Sequence, residues 1–147
     1  MKYLFSLSFL LFVSLSFCQN TQISHPDYTA TEIAAAIQKG EALVFQEKRI
    51  PLGPVIKGEF KEMTYKFLNV LSEPIEYSFF DVCSCSKLTY DEDSIIQPGE
   101  EGIFHIRFDS GAREDEEPVE VSFELKNEDK RIGLPYFYTV DYTFSFK

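Results

Sequence analysis

From about residue 60 onward the chain alternates apolar and polar residues with a period of two. Met63, Tyr65 and Phe67 fall on one side of such a run, with Thr64, Lys66 and Leu68 on the other. Phe104, Ile106 and Phe108 repeat the pattern and leave His105 and Arg107 opposite. Val119, Val121, Phe123 and Leu125 alternate with Glu120, Ser122 and Glu124, and the longest run is Tyr136, Tyr138, Val140, Tyr142, Phe144, Phe146. Successive side chains of a strand point to opposite faces, so each run predicts a strand with one buried face. Turn-forming residues punctuate them: Pro51-Leu-Gly-Pro54, Ser72-Glu-Pro74, Gln97-Pro-Gly99, Asp109-Ser-Gly111 and Lys126-Asn-Glu-Asp129. The fold class this predicts is all-β, an immunoglobulin-like antiparallel β-sandwich of about seven strands.

One stretch has a different period. Thr31 to Gly40 reads as a short N-terminal helix, with Thr29 or Thr31 to cap it, alanines to favour it and Gly40 to end it in a left-handed conformation. Ahead of it, Met1-Lys2 precedes an apolar run from Tyr3 to Phe17 broken only by serines, and Ser16-Phe17-Cys18 sets small residues before Gln19. That is the layout of a secretory signal peptide. The expected organisation is therefore 1–18 signal peptide, 19–41 leader with the helix, and 42–147 the sandwich domain, exported to the periplasm or cell surface. A lipid anchor at Cys18 is the less favoured alternative, because Phe17 is bulky where lipoprotein signals carry a small residue. No later stretch approaches the roughly 18 apolar residues of a membrane-spanning helix.

Composition narrows the partners. At 44% hydrophobic and 16% aromatic the chain can fill a core. Its net charge of −10 argues against nucleic acid and anionic membrane, which repel a negative surface. The expected partner is another envelope or secreted protein. The long terminal segment, Arg131 to Phe146, offers itself as an edge strand for such a partner, because an edge presents unpaired backbone groups.

Little in the sequence assembles a catalytic site. His25 lies in the leader beside Pro26, and His105 on the outward side of its strand. Neither neighbours a nucleophile elbow, a zinc-protease helix or a phosphate loop. The acidic runs Asp91-Glu-Asp93 and Glu114-Asp-Glu-Glu117 fall in predicted loops without the spacing of a calcium site. No catalytic residue and no cofactor are expected.

Cys83-Ser84-Cys85 carries the remaining chemistry. In a regular strand the two side chains share a face, with Cβ atoms about 6.6 Å apart at a rise of about 3.3 Å per residue. A disulfide needs Cβ atoms about 3.5–4.5 Å apart, so it demands a sharp bend at residue 84, which Ser84 resists more than glycine would. A shared metal demands a similar approach, and two ligands do not close a site. Buried free thiols are the leading expectation, a disulfide the second and a metal the third. In the metal case Cys83 and Cys85 would hold Cu(I), with Met63 and His105 as further ligands by type. Ile75 and Tyr77 on one side, then Phe80 and Val82 on the other, predict a bulge just before the pair.

Taken in order, Gly53-Pro-Val-Ile-Lys-Gly58, Tyr65-Lys-Phe-Leu-Asn69, Pro74-Ile75, Cys83-Ser-Cys85 and Ile96-Gln-Pro-Gly-Glu100 leading to Ile106-Arg-Phe-Asp109 resemble a bacterial envelope family. It is the domain of unknown function 1573, an Ig-like module similar to those of hydin and major sperm protein. The chain departs from that pattern at Asn69-Val-Leu-Ser72, where the family has Asn-Thr-Gly, and at Ser84, where it has glycine. The resemblance implies a fold and an envelope location but no reaction. The functional expectation is a non-catalytic secreted or periplasmic module for protein–protein interaction or envelope structure. The alternative is a copper-binding or thiol-redox protein using Cys83 and Cys85.

Overall fold

A computed structural model of the chain describes residues 23–147. The segment read as a signal peptide, with Cys18, lies outside the described residues. Helix α1 spans Ala30–Lys39, and Thr29 caps it with a reciprocal pair of hydrogen bonds. Glu32 N–H donates to Thr29 Oγ1 at 3.2 Å, and Thr29 N–H donates to Glu32 Oε2 at 3.0 Å. These bonds hold the Glu32 carboxyl below the usual carboxylate range. Gly40 closes the other end at φ 71°, a conformation that suits glycine.

Eight strands follow: β1 (Leu43–Phe45), β2 (Arg49–Val55), β3 (Phe60–Asn69), β4 (Tyr77–Val82), β5 (Ser86–Thr89), β6 (Glu101–Asp109), β7 (Val119–Asp129) and β8 (Leu134–Phe146). They form two four-stranded sheets, in the orders β1-β3-β6-β5 and β2-β8-β7-β4. The sandwich and the strand phases agree with the alternating pattern. Tyr65, Phe67, Phe104, Phe108, Val121, Phe123 and Tyr142 are all buried between the sheets. Phe123 sits at the centre, its ring 5.1 Å from Phe80, 5.4 Å from Phe104, 5.7 Å from Tyr138 and 6.1 Å from Phe67. Leu68, on the opposite side of β3, is buried too, because α1 packs Ile33 and Ala36 over Val44, Leu68 and Val70.

Three expectations change. The Pro51-Leu-Gly-Pro54 segment is not a turn but part of β2, and β2 runs parallel to β8, with a bulge between Pro51 and Gly53. The sandwich is therefore not wholly antiparallel. Proline donates no ladder bond, so these residues are tolerated because β2 ends its sheet. The long terminal strand β8 is not an edge. It lies between β2 and β7, which use both of its backbone faces. The bulge expected before the cysteines is present between Tyr77 and Phe79, and it turns Phe80 and Val82 back onto the same core that Ile75 and Tyr77 enter.

Gly102 shows how tightly the layers close. It pairs with Phe67, and a Cβ there would collide with the Phe67 ring and the Ile96 side chain. At the far end Tyr138 reaches across the core to accept the N–H groups of Ala42 at 2.8 Å and Leu43 at 3.2 Å.

Candidate functional site

The chain passes from one sheet to the other between β4 and β5, and Cys83-Ser84-Cys85 is the corner where it does so. Ser86 N–H donates to Cys83 O at 2.9 Å, which closes a tight turn over residues 83–86. Asp109 N–H donates to Cys85 O at 2.8 Å and pins the turn to the end of β6. Within the turn the Cα atoms of Cys83 and Cys85 are 5.2 Å apart, and the two residues are joined by a disulfide. Disulfides take Cα separations of about 4.4–6.8 Å.

This corrects the leading expectation of two free thiols. That expectation placed the pair in a regular strand, whereas the pair lies in a corner. The bend requires no left-handed backbone at Ser84, since no residue other than glycine has positive φ among the described residues. Serine is therefore tolerated where the related pattern has glycine. The expected burial holds for Cys85, which is 2% exposed within the core, while Cys83 is only partly buried and Ser84 is exposed.

The two sulfurs meet different surroundings. Cys83 Sγ accepts the N–H of Cys85 at 3.1 Å and lies 3.7 Å from Ser86 Oγ. Cys85 Sγ lies 3.9 Å from both Ser86 Oγ and the Tyr142 hydroxyl oxygen, and those two oxygens are 2.6 Å apart. Burial raises the pKa of Tyr142, while the Ser86 hydrogen bond and the Arg113 charge pull it back down. Arg113 donates to Asp115, and its buried Nε has no partner among the described residues. Outside the turn, a depression of about 230 Å³ is lined by Phe60, Ser84, Cys85, Lys87, Arg107 and Asp109. The Arg107 guanidinium stands 4.2 Å from the centre of the Phe60 ring.

Of the other ligands named for a copper site, Met63 shares the buried core cluster with Cys85, and His105 faces away from it. Met63 faces the core from β3, and His105 lies on the outer face, its Nδ1 2.9 Å from Thr64 Oγ1. Asp91 to Asp93 and Glu114 to Glu117 are exposed loop residues, as their charge suggested, and Glu114 pairs with Lys57 at 2.7 Å.

A cluster that sequence reasoning missed brings His25, Asp27 and Glu101 together, with one ligand atom of each within 4.8 Å of the others. Glu101 and His25 Nδ1 are already engaged. Glu101 accepts Tyr28 Oη–H at 3.3 Å and pairs with Lys66 at 3.2 Å, while His25 Nδ1 accepts Asp27 N–H at 3.3 Å. His25 is thus part of the folded domain rather than a solvated leader residue. No local signal joins it to Glu101, because the start of β6 meets it only through the fold.

A second surface was equally invisible in the sequence. β4 stands at the end of its sheet, and on its outer face Phe79 is 44% exposed. Register aligns Phe79 with Glu124 on β7 and Phe137 on β8, the latter 57% exposed. Two aromatic rings thus flank a carboxylate across three strands, with Asp81 and Glu120 exposed on the same strands.

Among solved structures the fold is similar to Vibrio cholerae VesB protease, at a TM-score of 0.59 and 10% identity over 79% of this chain and 35% of that one. It is also similar to a protein of unknown function from Porphyromonas gingivalis W83, at a TM-score of 0.57 and 13% identity over 71% of this chain and 46% of that one. The seventh PapD-like domain of human CEP192 matches over 99% of this chain and 98% of that one, at a TM-score of 0.52 and 11% identity. The chain spans only about a third and about half of the first two proteins, and at these identities the likeness shows the fold alone. No curated protein matches the sequence. The sequence pattern of the family described as "Protein of unknown function (DUF1573)" matches residues 43–134, which reach from β1 into β8, and the chain belongs to that family.

Proposed function

We propose that this chain is an exported, non-catalytic module that binds another protein by adding its strand to the outer edge of β4. The observation that carries the reading is the row Phe79, Glu124, Phe137 beside an unpaired strand edge. An open edge supplies directional backbone hydrogen bonds, and exposed aromatic rings supply apolar area to bury on contact. The opposite edge, β2, is poorly suited because two prolines and a bulge interrupt its ladder. Charge selects the partner further: with −10 on the chain and acids around the rings, an extended segment alternating apolar and basic side chains fits best. Export is supported by the apolar run from Tyr3 to Phe17 behind Met1-Lys2.

Site-specific photocrosslinking in the native host tests both parts. A crosslinker at position 79 should trap a discrete protein adduct outside the cytoplasm, and one at exposed Ile56, near the end of β2, should not. Equal trapping at both positions would rule out a specific β4 edge, and purely cytoplasmic adducts would rule out export.

A further inference from the structure

We infer that the Cys83–Cys85 disulfide is a stoichiometric thiol–disulfide exchange site, attacked at Cys83 and released at Cys85. Access decides the first half. Cys85 is 2% exposed, whereas Cys83 is only partly buried beside exposed Ser84, so Cys83 is the more accessible of the two cysteines. Lys87 and Arg107 line a depression that meets the turn at Ser84 and Cys85, and their charge attracts an anionic thiol to this corner, although Asp109 shares the lining. The surroundings decide the second half. As the sulfur–sulfur bond breaks, Cys85 takes the electron pair, and the Tyr142 and Ser86 hydroxyls stand 3.9 Å from its sulfur. Because those hydroxyls are hydrogen-bonded to each other at 2.6 Å, one proton satisfies the pair and the other is free to point at the new thiolate.

The exchange balances as follows. A thiolate attacks Cys83 Sγ and forms a mixed disulfide there, and the Cys85 thiolate leaves and is protonated from solvent. A second thiolate attacks the substrate sulfur of the mixed disulfide, releasing a disulfide of the two substrate thiols. Cys83 departs as a thiolate that the Cys85 N–H, already 3.1 Å from its sulfur, can stabilise before protonation. Two thiols are oxidised and the protein disulfide is reduced to two thiols. The substrate class is a small anionic thiol. This inference does not depend on the β4 edge, since it uses different residues and a different readout.

Glutathione is the probe. Unreduced native protein in excess reduced glutathione should gain two thiols by intact mass while its far-UV circular dichroism stays unchanged. In oxidised glutathione, Cys85→Ser should form a single adduct at Cys83 at least tenfold faster than Cys83→Ser forms one at Cys85. Tyr142→Phe should slow reduction of the wild-type disulfide roughly threefold, because a leaving thiol of higher pKa leaves more slowly. It should leave the adduct rate of Cys85→Ser unchanged. A disulfide that yields to glutathione only after denaturation would overturn the proposal in favour of a structural bond. Equal adduct rates at the two cysteines would overturn the assignment of attack to Cys83. A Tyr142→Phe change that accelerates both reactions would refute the leaving-group role.

Discussion

Phe123 touches more aromatic rings than its neighbours because it faces the middle of both sheets. Rings from β3, β4, β6 and β8 surround it at 5.1–6.1 Å. Replacing Phe123 or Phe67 with Ala should lower stability by about 3–5 kcal/mol, the range for truncating a buried Phe. Replacing exposed His105 or Glu120 should change it by less than about 0.5 kcal/mol. Denaturant midpoints in the reverse order would show that the two faces of the strands have been exchanged. Asp129 makes a second residue-scale test. It is buried at the β7–β8 turn and accepts Arg131 Nε–H at 2.9 Å, while Arg131 also donates to the carbonyls of Lys39 and Gly40. The Arg131 hydrogen bond holds the Asp129 carboxyl below its usual range. A depressed folded pKa contributes stability that is fully present above the unfolded value of about 3.9 and is lost as pH falls from there through the lower folded pKa. Wild type should therefore lose more stability than Asp129→Asn between pH 6 and pH 3, measured by urea denaturation at each pH. Parallel losses would mean that the pair contributes nothing.

Among the elements, long strands were legible because their alternation runs for many residues. β3, β6, β7 and β8 are read correctly in phase, and α1 in position, since its caps lie in the sequence itself. What was not legible has a physical reason in each case. β1 and β5 are three and four residues long, too short for a period to declare itself. β2 carries Pro-Leu-Gly-Pro, whose local preference is a turn, and only pairing with β8 makes it a strand. The corner at 83–86 resembled the end of a strand because nothing local announces a change of sheet. That corner leads to an element-scale prediction about the disulfide. In the chain-entropy account, closing a loop of about three residues stabilises by only about 1.6 kcal/mol, against about 3 for a 15-residue loop. Reduction should thus lower the unfolding free energy by less than about 2 kcal/mol and leave a folded protein, as read by thermal melts with and without reductant. Global unfolding on reduction would show that the turn holds the sheets together.

For the molecule as a whole, the acidic charge and the aromatic core describe a folded domain, and neither points to a docking surface. The row Phe79, Glu124, Phe137 is built from three strands far apart in sequence, so no window of the chain contains it. The sequence pointed instead to the Arg131 to Phe146 segment as an edge, and that strand is central. Length and hydrophobicity mark a strand, but only topology decides which strand is last in its sheet. Whether the β4 edge binds protein is decided by a calorimetric titration of the protein crosslinked at position 79 against three forms of the chain. Wild type and Ile56→Asp should bind alike, and Phe79→Asp should bind at least tenfold more weakly, about 1.4 kcal/mol, with an unchanged thermal midpoint. Undiminished binding by Phe79→Asp, or loss with Ile56→Asp instead, would show that the partner does not sit on β4.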